Sequence, residues 1–357
     1  MLNYCIATFV CVDTRPSDAQ VVYPMLGHSS ADERRALYWR MAVTCILTAS
    51  KANVGTRHVV YTNDNDAATF GGTDLRAFLE GHGVEVIYLA FETFKFPTGM
   101  SLRLSNAFYR YEVMREMSEH GGGVVLDSDV LWVRNADDME EMMDDGKLLI
   151  YDLYDRSDRP TSRKPHGVSM ADMGHLFEGM YPGYPIKYPV WLGSEVVAGN
   201  GFVFAEIVEM AEEICAKYKV LHHKGAEAVT FPNGTGFFNN DEFLFSFLAN
   251  KFGRVEYLNP YLKRTYALSF LNNLEAKDQH LAMWHAPAEK NTGLALLFDE
   301  VMDMDSEFWK LEEEEWAIYI GGFVGVPKRT RSVPIQSTVA EFMRTVRGKV
   351  GNLIRNI

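Results

Sequence analysis

The stretch Gly122-Gly123-Val124-Val125-Leu126-Asp127-Ser128-Asp129-Val130-Leu131-Trp132 decides how this chain is read. An apolar run leaves a glycine turn and delivers two carboxylates, one residue apart, where a buried strand should end. In open α/β sheets ligands bind at the carboxyl ends of strands, so these acids face a site. Residues i and i+2 of a strand point to one side, which lets Asp127 and Asp129 converge. Two hard oxygen donors around Ser128 suit Mg²⁺ or Mn²⁺, held by few protein groups plus substrate phosphates. A bare Asp-x-Asp is equally a strand followed by a polar turn, so the surroundings carry the weight.

Strands and helices alternate along the chain, which builds a mostly parallel twisted sheet flanked by helices. Tyr4 to Val12, His58 to Thr62 and Val84 to Leu89 read as strands, with the acidic strand fourth. Asp32 to Ala49 and Asp74 to His82 read as helices, and Leu104, Ala107, Phe108, Tyr111 and Met114 give 101–117 helical spacing. Residues 137–145 lack the glycine and ligand spacing of a calcium loop and read as a solvated helix with a methionine face. Residues 155–192, rich in Pro, Gly and Tyr, read as an irregular excursion.

At 357 residues and 47% apolar, the chain buries a sizeable core and is not disordered in bulk. A net charge of −13 argues against nucleic acid as partner, because phosphate neutralisation needs a basic face. Cys5, Cys11, Cys45 and Cys215 have no metal spacing and read as buried thiols of a reducing compartment. The N-terminus lacks a charged n-region and no 18-residue apolar run exists, so the expectation is a cytoplasmic protein.

The order helix, glycines, strand, Asp-x-Asp resembles the nucleotide-sugar-dependent glycosyltransferases of the GT-A fold. It looks most like the retaining families akin to glycogenin and the lipopolysaccharide galactosyltransferases, and those akin to the blood-group enzymes. The resemblance implies a Rossmann-like GT-A domain over 1–325, its donor half about 1–135 and its acceptor half about 136–295. It further implies transfer of a hexose from a UDP-sugar to a hydroxyl of a glycan or glycolipid, with retention. On that resemblance Asp127, Asp129 and His285 hold Mn²⁺ or Mg²⁺, and Lys290 contacts phosphate in a His-x4-Lys arrangement. Ala288 and Asn291-Thr292 stand where the glycogenin-like pattern has Gly and Pro-Trp.

Further stations follow from the same resemblance. Thr8, Phe9 and Val10, at the end of the first strand, are expected to hold the nucleoside base. Arg103, Asn106 and Arg110 lie on the helix before the acidic strand, and a guanidinium there would stabilise the diphosphate. Asn200-Gly201 looks like the glycine-bearing strand that brings backbone beside the donor sugar. Asp241 and Glu242 open an apolar helix, where helix capping alone would account for them. The resemblance instead sets Glu242 against the anomeric carbon and Asp241 against donor or acceptor hydroxyls.

Residues 299–315 are acidic, whereas Lys328, Arg329, Arg331, Arg344, Arg347, Lys349 and Arg355 make the end basic. Helical apolar spacing in 326–357 predicts a basic amphipathic tail at an anionic membrane surface, or a helix docked on the acidic segment. Two rival functions stand beside the transferase. One is a haloacid dehalogenase-type phosphatase, which places Asp-x-Asp on the first strand with Thr or Val where Leu131 stands. The other is a non-catalytic sugar-nucleotide-binding protein.

Overall fold

A computed structural model describes residues 4–12, 31–66, 68–97, 100, 104–136, 138–154, 164, 167–184, 186–225, 229–266 and 273–331. The N-terminal half carries β1 (Cys5–Val10), α1 (Ala31–Ala52), β2 (Arg57–Thr62), the ribbon β3 (Thr69–Phe70) and β4 (Thr73–Asp74), α2 (Leu75–Gly81) and β5 (Val84–Tyr88). Then come α3 (Tyr109–Ser118), β6 (Gly122–Leu126), β7 (Val130–Trp132), α4 (Asp138–Asp144), β8 (Leu148–Asp152) and α5 (Met170–Met180). The remainder is β9 (Leu192–Asn200), α6 (Gly201–His223), α7 (Asp241–Phe252), β10 (Val255–Tyr257), β11 (Leu262–Arg264), β12 (Met283–His285), α8 (Gly293–Met302), α9 (Glu307–Lys310) and α10 (Glu313–Val324).

Seven strands form one sheet in the order β10-β8-β9-β6-β1-β2-β5. All neighbours are parallel except β9, which runs antiparallel to both β6 and β8. The sheet is apolar on both faces because helices cover both. Ile6, Val10, Val124 and Leu126 face a cluster with α1, α8 and α10, whereas Ala7, Val125 and Val197 face one with α3, α6 and α7. Strand alternation divides neighbouring residues between the two cores. A smaller sheet, β11-β12-β7, continues from the end of β6.

Gly122 and Gly123 lie within β6 at φ of +90° and +146°, and a Cβ on Gly123 would sit 2.0 Å from the Cys5 carbonyl oxygen. The glycines therefore permit close strand approach as well as a turn. All four cysteines are free and buried. Among the described residues no helix is long and apolar enough to cross a membrane.

Four expectations need correction. The run 122–132 is two strands, broken by a turn at Asp127-Ser128-Asp129 in which the Val130 N–H donates to the Asp127 carbonyl at 3.0 Å. Helix 101–117 begins only at Tyr109, after a 3-10 turn over Ser105–Phe108 with Leu104 left-handed. The excursion 155–192 contains α5, started by a capping box between Ser169 and Asp172. Gly201 opens α6 instead of lying mid-strand, with the Asn200 side chain accepting from the Val203 N–H at 3.0 Å.

Candidate active site

The turn at the carboxyl end of β6 is a junction of three strands. Antiparallel β9 brings the Glu195 carbonyl to the Asp127 N–H at 2.8 Å, with Leu126 opposite Val196. Antiparallel β12 places His285 opposite Val130, and the Ala286 N–H donates to the Asp129 carbonyl at 3.0 Å. Backbone register thus delivers His285 to Asp129 across a sequence gap no local pattern spans. One donor atom from each of Asp127, Asp129 and His285 lies within 4.8 Å of the others. Two carboxylates and an imidazole suit a divalent cation such as Mn²⁺ or Mg²⁺.

Cations of the chain surround these acids. The Lys290 ammonium lies 2.6 Å from Oδ2 of Asp129, and His285 Nε2 approaches the same oxygen at 3.3 Å. Arg110, buried between Phe9 and Phe245, pairs with Asp127 and donates to Asp241 at 2.9 Å. Ser194 donates to the same Asp241 oxygen at 2.7 Å. Arg264 grips both oxygens of Glu195, at 2.9 and 2.7 Å, and donates to Glu242 at 2.7 Å.

The charges set the ionisation. Burial penalises ionised Asp129, but Lys290 and His285 outweigh it and hold the carboxyl well below its usual range. Glu195 is likewise held low against burial by Arg264 and His285. Burial dominates at Asp241 and raises it to about 6 despite Arg110. Burial also opposes protonation of His285 and Lys290. The carboxylates beside them prevail, lifting His285 to about 9 and Lys290 to about 12.

Asn240 caps α7, its side chain accepting from the Glu242 N–H at 3.0 Å. Asp241 and Glu242 are therefore not the caps of their helix. They point instead at Arg110 and Arg264, with the second Glu242 oxygen accepting from Asn240 at 3.2 Å.

The other expected residues divide. Ser128 is buried in the acidic turn. Phe9 lies against Arg110, and Asn106 donates to the Cys11 carbonyl at 3.3 Å, just past the end of β1. Val10 is buried in the core. The Thr8 hydroxyl is spent on the Leu126 carbonyl at 3.0 Å. Arg103 lies outside the described residues, and Arg110 from the same stretch is the guanidinium that reaches the acids.

Asn200 and Gly201 are not at the site. Asn200 pairs with Gly122, at the opposite end of β6 from Asp127, because β9 runs antiparallel. A Cβ on Gly201 would lie 2.6 Å from the Ser118 carbonyl, so that glycine serves the contact of α6 with α3. The close-approach glycine near the acids is Gly193, where a Cβ would meet Glu195 Oε2 at 2.1 Å. Sequence reading overlooked Arg264 and the role of Glu195. The one signal was a lone carboxylate inside the apolar run of β9, which demands a buried partner.

No family model and no curated protein matches the chain. Among solved structures it is similar to the bifunctional glycosyltransferase WbbM in its apo form, at 11% identity and a TM-score of 0.49. That alignment covers 89% of this chain and 51% of WbbM, so the chain spans about half of that protein. It is also similar to the galactosyltransferase LgtC in complex with donor and acceptor sugar analogues, at 12% identity and a TM-score of 0.43, covering 90% and 96% of the two chains. An active-site mutant of LgtC aligns at 14% identity and 0.43, over 89% and 95%. These three solved structures are of glycosyltransferases.

Proposed function

We propose that this chain is a metal-dependent glycosyltransferase moving a hexose from a UDP-sugar to a hydroxyl of a glycan or glycolipid, with retention. The observation that carries the reading is the convergence of Asp127, Asp129 and His285 beside Lys290 at the carboxyl end of β6, with Glu242 nearby through Arg264. Asp127, Asp129 and His285 would hold Mn²⁺ or Mg²⁺, which neutralises the charge developing on the UDP leaving group.

The chain's own residues do the rest. Lys290, released from Asp129 when the acids are otherwise neutralised, binds the diphosphate. Arg110 keeps Asp127 and Asp241 in fixed relation on two elements. Phe9, at the end of β1 beside Arg110, offers an apolar wall for the base. Asp241, held by Ser194, is placed to accept from sugar hydroxyls. Glu242 stabilises positive charge at the anomeric carbon as the bond from that carbon to the UDP phosphate oxygen breaks. The acceptor oxygen bonds in its place and the acceptor proton passes to the departing phosphate. Both Glu242 oxygens accept hydrogen bonds, which favours this electrostatic role over direct attack.

On sequence pattern, 340–357 would hold the enzyme at an anionic membrane surface on the cytoplasmic face; those residues lie outside the described ones. A thermal-shift panel of UDP-, GDP- and CDP-sugars with and without Mn²⁺ tests the reading. Stabilisation by a UDP-sugar only with metal, followed by Mn²⁺-dependent turnover, is expected. Indifference to every sugar nucleotide overturns it.

A further inference from the structure

His285 is 6% exposed, and its Nδ1 is a buried ring nitrogen with no hydrogen-bond partner. Among the described residues Glu195 is poised to receive it, its Oε1 lying 3.4 Å away. Glu195 is fully buried inside β9. A carboxylate there is costly unless paired. Arg264 supplies the pairing through a two-point grip, and its neighbour in register on β12 is His285 itself. Thr265 fixes that register, its N–H donating to the His285 carbonyl at 2.8 Å and its hydroxyl at 3.1 Å. Gly193 leaves the space that the Glu195–Arg264 pair fills.

A histidine that binds metal through one nitrogen needs the other held by an acceptor, which fixes the tautomer and ring plane. We propose that Glu195 is that acceptor and Arg264 the brace that aims it, so that both are positioning residues for the metal site. This rests on the metal reading of Asp127, Asp129 and His285 given above. With a metal on Nε2 the ring would be neutral, its Nδ1–H donating to Glu195 and its Nε2 lone pair directed at the side where Asp129 lies. Since the same guanidinium holds Glu242, the brace also sets Glu242 relative to the metal ligands, from β9, β11 and α7 together. Sequence separations of 69 between Arg264 and Glu195 and 22 between Arg264 and Glu242 make this a product of tertiary packing alone.

The test is Mn²⁺ titration of the full chain by electron paramagnetic resonance, comparing parent and Glu195→Gln. Loss of such an outer partner typically weakens metal binding about 10–100-fold, and that is the result expected. Glu206→Gln, on an exposed pair with Arg254, should bind Mn²⁺ as the parent does. In the Mg²⁺-loaded protein, imidazole ¹⁵N shifts of His285 should report one Nδ1–H tautomer in the parent and a mixture in the variant. Should Glu195→Gln not fold, the double variant Glu195→Leu/Arg264→Met removes both buried charges together and is titrated instead, with the same loss expected. Parental Mn²⁺ affinity in the folded variant overturns the proposal alone. A parent that binds no Mn²⁺ overturns the metal reading and this with it. A parent that binds Mn²⁺ but turns over no UDP-sugar overturns the transferase reading and leaves the positioning role standing.

Discussion

The Lys290 ammonium and the His285 imidazole share one oxygen, Oδ2 of Asp129, at 2.6 and 3.3 Å. The lysine thus occupies the charge role a metal would take at that carboxylate, so a cation bound there would compete with it.

Lys290→Ala should split two affinities in opposite directions. Removing the competing cation should tighten binding of Mn²⁺ alone, by about 10- to 150-fold if the charged contact is worth about 1.5–3 kcal/mol. Binding of UDP in the presence of Mn²⁺ should weaken, because a phosphate contact is lost. Calorimetric titration of each ligand separates the effects, and weaker binding of Mn²⁺ alone would count against the competition.

Arg110 is the buried cation that two carboxylates from different elements share. Arg110→Met leaves buried Asp241 without its guanidinium and Asp127 with only His285 and Lys290 as cations, and breaking a buried pair costs about 3–5 kcal/mol. Asp241→Asn should cost less, since Ser194 still finds an oxygen and Asp127 keeps Arg110. Urea denaturation measures both. Equal losses in the two variants would show that Arg110 does not join the two acids energetically.

Local pattern made part of this site legible and hid the rest. Asp127 and Asp129 follow an apolar run out of a glycine turn, so two neighbouring carboxylates at a strand end could be read from a short window. His285 at the end of β12 and Lys290, after the turn Pro287–Glu289, were expected at the acids only through the family resemblance. Arg264 ends a three-residue strand with no local signal, and only the register of β11 on β12 brings it beside His285. Asn200-Gly201 misled because an Asn-Gly pair reads the same at either end of a strand. The antiparallel direction of β9 puts Gly193 to Glu195 at the acids and Asn200 at the far end. The break at Asp127 was equally hidden, because Val124 to Trp132 is apolar on either side of the turn.

Stability at mildly acid pH should depend on His58, which sits in β2 opposite Ile6 and Val84. Burial lowers its pKa to about 4, against hydrogen bonds with Thr56 and Ala49. In an unfolded chain the same group titrates near 6.5. Between those values the unfolded chain binds the extra proton, so stability falls as pH drops and is complete only above about 6.5. His58→Gln should remove a slope of about 1 kcal/mol per pH unit in that window. Denaturant midpoints of parent and variant at pH 4.5 and 7 measure it, and identical slopes would assign acid sensitivity elsewhere.

Glu242 should matter to turnover far more than to donor binding. Its carboxylate is fixed by Arg264 and Asn240 before substrate arrives, so it need not reorganise as charge develops. An interaction expressed mainly in the transition state lowers kcat when removed and leaves KM nearly unchanged. Glu242→Gln keeps the size and an oxygen for Arg264 but loses the negative charge, so kcat should drop about a hundredfold or more, as for one strong electrostatic stabiliser. Single-turnover kinetics with saturating UDP-sugar and Mn²⁺ read the chemical step, and titration of UDP reads binding. Parental kcat in the folded variant would reduce Glu242 to a partner of Arg264. NMR of the parental product fixes the stereochemistry, and inversion at the anomeric carbon would require a water- or acceptor-activating base in place of a charge stabiliser.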